Sequence, residues 1–145
     1  MTAEQIEVQL QATLEKLRQD QLDEGVPSAQ VRKRRMQRVI DLLVDHQHDL
    51  ARALDEDYEG RHPYLTLMSE VLQPIAHLKD AQKRVGKWMK PERRKAPFPM
   101  GLFGAKATLR FQPKGVVGIM SPWNYPIAMV VNPLCNALAA GNRAM

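Results

Sequence analysis

Cysteine is almost missing from this sequence: Cys135 stands alone among 145 residues. A single thiol closes no internal disulfide and builds no cysteine zinc site. A basic start followed by an apolar run is also missing. MTAEQIEVQL does not have the pattern of a secretory leader, so the protein is expected to be cytoplasmic. There is no internal repeat and no low-complexity tract. Charge is absent from Gly115 to Asn142, the one place where a membrane span could be suspected. Pro122, Asn124, Pro126, Asn132, Pro133 and Asn136 interrupt that stretch. A bilayer helix needs ~20 predominantly apolar residues in one unbroken ladder. A buried strand followed by a buried helix is the better reading, with no membrane partner.

What is present is an ordinary globular composition, 44% apolar and 26% charged. The net charge of +5, from 21 basic and 16 acidic residues, suits a nucleic-acid binder and an enzyme domain equally. Arg32, Lys33, Arg34, Arg35 and Arg38 form one basic cluster, and Lys79 to Lys95 holds another. Their helical members alternate with apolar stripes, and Asp55, Glu56, Asp57 and Glu59 follow the first cluster. Solvated helix faces are therefore expected, with no nucleic acid bound. His46 and His48 are two apart and share no helix face, so no metal site is expected.

The chain changes character near Pro91, from charged helical patterns to proline, glycine and β-branched residues. Residues 1–106 are expected to form a helical region and connector, and 107–145 the start of a nucleotide-binding sheet. Ile6, Leu10, Leu14 and Leu17 mark a first helix, ended between Asp20 and Pro27. Ser28 is a candidate N-cap for a second helix, whose stripe is Val31, Met36, Val39, Ile40, Leu43, Leu50 and Leu54. A third is expected over 64–89, with Leu65, Met68, Val71, Leu72, Ile75, Leu78, Val85 and Trp88 inward and a kink or restart at Pro74. Pro91 to Gly104 is a connector, and 107–112 alternates like an edge strand. Val116 to Met120 is continuously apolar, the mark of a strand buried on both faces of a parallel sheet. Pro126 opens a helix that Gly141 stops, with Pro133 inside it. The expected class is α/β: N-terminal helices, then an incomplete Rossmann-like parallel sheet whose second strand is expected to begin just as the chain stops at Met145.

Ser121 to Pro126 (SPWNYP) would then be a strand-to-helix turn at the carboxyl edge of the sheet, where such folds bind ligands. Pro122 and Pro126 fix two φ angles, and Tyr125, preceding proline, is pushed towards an extended conformation. Trp123 could wall a flat ring or pack under the turn. Asn124 offers an uncharged amide donor, suited to an oxyanion that exists only in a transition state. It is also a good helix N-cap, and spacing alone favours the cap.

The run PKGVVGIMSPWNYP, followed by NPLCNALAAGN, resembles the aldehyde dehydrogenase superfamily, with its GVVG-type strand, PWN motif and ALAAGN helix end. The tone of Trp88 to Pro91 and the PWNYP form are similar to the class-3-like branch that includes coniferyl aldehyde dehydrogenases. The resemblance implies the N-terminal portion of an enzyme that oxidises an aldehyde to a carboxylic acid with NAD or NADP, and the coniferyl branch implies an aromatic aldehyde. It implies that Asn124 donates its amide to the thiohemiacetal oxyanion. It further implies that Met120, Ser121, Pro122 and Trp123 line the nicotinamide end of the cofactor pocket. The strand at 107–112 would belong to an oligomerisation hairpin, making the intact protein a homo-oligomer. The family's nucleophilic cysteine, base glutamate and ribose-contacting lysine would lie beyond residue 145, so the 145 residues alone are expected to be inactive. Cys135 is expected to be a buried, inert thiol, with no His or Lys beside it in sequence. A non-catalytic basic helical module, binding nucleic acid or protein, is the alternative, and salt-sensitive binding to DNA or RNA would mark it.

Overall fold

The computed structural model describes residues 2–145. α1 (Ala3–Glu24) opens with a reciprocal capping box: the Thr2 side chain accepts from the Gln5 amide, and the Gln5 side chain accepts from the Thr2 amide. Leu14 and Leu17 are half-buried, but Ile6 and Leu10 are exposed, so only half of the expected stripe is covered. Arg143 ties the end of α1 to the C-terminus, donating to the Asp20 carbonyl and to Glu24.

Ser28 does cap α2 (Ala29–Asp45), accepting from the Val31 amide at 3.3 Å. The second helix expected to reach Leu54 is instead two helices. His46, at φ −106° and ψ 13°, separates α2 from α3 (Gln47–Asp57). The apolar stripe runs through this break, because Leu43, Ala51 and Leu54 are all buried. Periodicity alone could not show it.

The third helix is also divided. A single turn, α4 (Pro63–Thr66), passes into a π-helical stretch over Leu67–Leu72 and then into α5 (Gln73–Trp88). Pro74 explains the wide turns. It has no N–H for the carbonyl of Glu70, and its ring would crowd that carbonyl in a regular α-helix. The irregularity falls on the residues before Pro74, and it changes which of them face inward. Val71, Ile75, Leu78 and Val85 are buried as expected, whereas Leu65, Met68, Leu72 and Trp88 are exposed. Trp88, expected in the core, is 49% exposed at the end of α5.

The core lies between α2, α5 and α6 (Pro126–Ala140), with Met36, Ile40 and Leu43 meeting Ile75, Leu78, Val85, Val131 and Cys135. One basic residue departs from its expected place. Arg32 is not on the solvated face of α2 but 4% exposed. It shares the stripe of Met36 and Ile40 at four-residue spacing.

β1 (Glu92–Arg94), inside the segment expected to be a plain connector, pairs antiparallel with β2 (Ala107–Leu109), Arg93 opposite Thr108. β3 (Val116–Val117) pairs in parallel with β4 (Arg143–Ala144). Backbone bonds from Ile119 to Met145 and from Met145 to Val117 extend the pairing. The β3–α6–β4 unit is the start of a parallel α/β sheet. Two expectations need correction. The second strand begins inside the chain, at Arg143. The Val116–Met120 run is not doubly buried: Val116 and Val117 are half-covered and Met120 is 97% exposed.

Candidate functional site

α6 holds the site in place, and each of its ends is fixed by a charged residue from another helix. At the C-terminal end, Gly141 adopts φ +88° and closes a Schellman motif: the amide of Asn142 donates to Ala137 O and that of Gly141 to Leu138 O. Arg32 lies against the same turn, its NH1 donating to Ala139 O at 2.8 Å and its Nε to Pro27 O at 3.0 Å. A Cβ on Gly141 would come within 2.7 Å of the guanidinium carbon, so a side chain there would have to displace Arg32 as well as strain φ. Burial, then the neighbouring Arg35 charge, lowers the Arg32 pKa. The Asn142 carboxamide oxygen accepts from the amides of Lys114 and Gly115, joining the helix end to the turn before β3.

At the N-terminal end stands the SPWNYP turn. Pro126 is the first helical residue and brings no N–H, so the next two amides are the ones that need acceptors. Both are met by one carboxylate oxygen: Glu70 Oε2 accepts from Ile127 N and Ala128 N, each at 2.9 Å. The Met129 amide already donates to the Tyr125 carbonyl. The donors are thus accounted for without Asn124, and the capping role considered for it is taken by Glu70. Tyr125 occupies the N-cap position and makes no side-chain cap bond. Its φ of −138° is extended, but its ψ of 64° falls short of the extended range expected before proline.

Glu70 is fully buried and pairs with Arg61, NH2 to Oε1 at 3.1 Å; the Arg61 side chain is 8% exposed. The approach is close but not aligned as a hydrogen bond. The Arg61 NH1 donates to the backbone oxygen of Asn124 at 3.0 Å. Its guanidinium carbon lies 5.1 Å from the Tyr58 ring centre and 4.9 Å from that of Tyr125. Burying both charges is costly, and their attraction with the bonds to Ile127, Ala128 and Asn124 offsets part of it, while Arg61 Nε and Glu70 Oε1 have no hydrogen-bond partner. Glu70 also meets the positive end of the α6 dipole.

Among the residues singled out from sequence, Ser121 is half-buried, and its hydroxyl is directed into the turn, within hydrogen-bonding reach of the Pro126 and Pro122 carbonyls. Met120, Pro122, Trp123 and Asn124 are exposed beyond β3, Trp123 at 84%. The structure therefore gathers these residues on one turn at the carboxyl end of β3. A groove lies at the other end of α6, between Arg32, Trp88, Met89, Phe111, Ala139 and Asn142, away from this turn. Cys135 is fully buried in mid-helix. Loss of solvation, then the Asp80 charge, pushes its thiol up to about 11. It is a core side chain, unsuited to nucleophilic attack near neutral pH.

Sequence reading missed Arg61, Glu70 and the buried role of Arg32. A signal existed for two of them. Thr66, Glu70, Pro74 and Leu78 are four apart and all buried, as are Arg32, Met36 and Ile40. A charge at the spacing of an apolar stripe is a candidate for a buried, paired role.

A turn of this kind, between a parallel strand and a helix opened by Pro126, defines the start of a parallel α/β unit. The sequence profile described as the aldehyde dehydrogenase family matches residues 2–145, and the chain belongs to that family. It is 50% identical over 125 residues to a probable coniferyl aldehyde dehydrogenase of Caulobacter vibrioides (strain ATCC 19089 / CIP 103742 / CB 15), covering 86% of this chain and 26% of that protein. It is 40% identical over 137 residues to a coniferyl aldehyde dehydrogenase of Pseudomonas sp. (strain HR199 / DSM 7063), covering 94% and 28%. The chain thus spans little more than a quarter of these relatives. In fold it resembles Staphylococcus aureus AldH in a substrate-bound state, with a TM-score of 0.85 at 24% identity over 93% of this chain and 29% of that one. It also resembles PnpE in complex with nicotinamide adenine dinucleotide, with a TM-score of 0.73 at 19% identity over 88% and 25%. Among the described residues, no helix is long and apolar enough to cross a membrane.

Proposed function

We propose that this chain supplies the oxyanion donor and one cofactor wall of an NAD(P)-dependent aldehyde dehydrogenase. Asn124 would donate its amide N–H to the oxygen of the aldehyde as that oxygen gains charge on attack by a nucleophile. Met120, Ser121, Pro122 and Trp123 would line the nicotinamide end of the cofactor. These residues fit that end of the cofactor, because an exposed ring and an exposed thioether flank the amide at the strand's carboxyl edge. The cofactor, when bound, would supply the hydride acceptor. Cys135, buried and with its thiol pushed up to about 11, does not suit the nucleophile, which would come with the water-activating base from outside these residues. The names of the relatives favour an aromatic aldehyde oxidised to its acid. The exposed Phe98, Leu102, Phe103 and Phe111 around β1 and β2 suit a homo-oligomeric contact.

The observation that carries this reading is the release of Asn124 from capping, because Glu70 takes the two free amides of α6. In a full-length protein containing this chain, Asn124→Ala should slow single-turnover hydride transfer by about 10²–10³ while cofactor affinity changes little. An unchanged rate would sink the donor role. The 145 residues alone should form no NAD(P)H from an aldehyde.

A further inference from the structure

We propose that Arg61 and Glu70 are a positioning pair that sets the Asn124 amide for the reaction; this rests on the donor role just assigned to Asn124. Stabilising α6 does not by itself require them. A Ser, Asp or Asn at the N-cap position would satisfy an amide locally. Here the acceptor is instead a fully buried carboxylate, 57 residues away along the chain, on a π-helical turn. Such turns occur frequently at functional sites. The Arg61 side chain turns the cap into a positioning device. It holds the backbone carbonyl of Asn124 itself, while Glu70 fixes the helix two residues beyond Tyr125. Tyr58 and Tyr125 keep the guanidinium from swinging. The peptide after Asn124 is thereby held through its carbonyl, and the helix that follows it is held by Glu70, which limits how far the Asn124 Cα and Cβ can move. Asparagine then has two side-chain torsions left to place its amide. A misplacement of about 1 Å at a reacting centre can cost about 10²-fold in rate.

The test is a double-mutant cycle in the full-length protein, read by single-turnover hydride transfer from benzaldehyde, with KM and the thermal midpoint measured for each variant. Arg61→Lys keeps the charge and loses the fork. It should slow hydride transfer about tenfold or more, with KM little changed. Placed on Asn124→Ala, the same change should cost less than about twofold, because the amide it positions is gone. Full multiplication of the two effects, or an unchanged rate in Arg61→Lys beside a slow Asn124→Ala, would overturn the positioning role alone. An unchanged rate in Asn124→Ala would overturn the donor role and the pair's role together. If Arg61→Lys fails to fold, Tyr58→Leu decides. It leaves the ion pair and removes one confining ring, and a folded variant with wild-type hydride transfer would overturn the proposal.

Discussion

The two ends of α6 are held by opposite charges placed in the same way. Glu70 meets the free amides at the N-terminus and Arg32 a carbonyl at the C-terminus, so both complement the helix dipole. Both side chains are buried and both come from other helices. The difference is in what surrounds them. At the C-terminus the local sequence already closes the turn: Gly141 and Asn142 make the Schellman bonds, and Arg32 is added to them. At the N-terminus Pro126 and Tyr125 supply no side-chain cap, and the long-range pair does the whole task. One end is a self-sufficient stop. The other depends on distant residues, and beside it lies the exposed turn that carries Asn124.

That contrast is open to attack by substitution. The largest loss is expected from Glu70→Ala, which orphans two helix amides and leaves Arg61 buried and unpaired. Removing one partner of a buried pair costs about 3–5 kcal/mol, to be read as a shift in the urea midpoint. Gly141→Ala comes next, at about 3 kcal/mol, from strain at positive φ together with the approach to Arg32. A loss in Arg32→Ala as large as that in Glu70→Ala would show the C-terminal turn to depend on its distant charge no less than the N-terminal one. The smallest effect concerns the middle of the helix. The Cys135 thiol, moved from 9.0 to about 11, keeps its proton in the folded chain where the unfolded chain loses it. The folded state then binds more protons between pH 9 and 11, so stability should fall as pH rises through that window. Unfolding midpoints at pH 8.5 and 10.5, with Cys135→Ala as control, measure this. Alkylation of Cys135 in the folded protein should be slow at pH 7.

Local signals were legible in the sequence, and long-range ones were not. Ser28, Pro126 and Gly141 fall at the expected helix boundaries because capping and proline or glycine geometry act over three or four residues. The break at His46 was hidden because the apolar spacing continues across it. Pro74 announced a disturbance, but the π-helical form, and the turning outward of Leu65, Met68 and Leu72, depend on packing. β1 and β4 are two or three residues long, too short for alternation to show. The SPWNYP turn identified the family and the candidate donor. It could not show that a carboxylate and a guanidinium from residues 61–70 hold it, because no spacing rule connects residues so far apart.

Amide hydrogen exchange at Ile127 and Ala128 in the 145-residue chain tests the central claim, that Glu70 and not Asn124 satisfies α6. Both amides should stay protected in Asn124→Ala and lose protection in Glu70→Ala. Protection that vanished in Asn124→Ala and survived in Glu70→Ala would make Asn124 a structural cap and contradict the account.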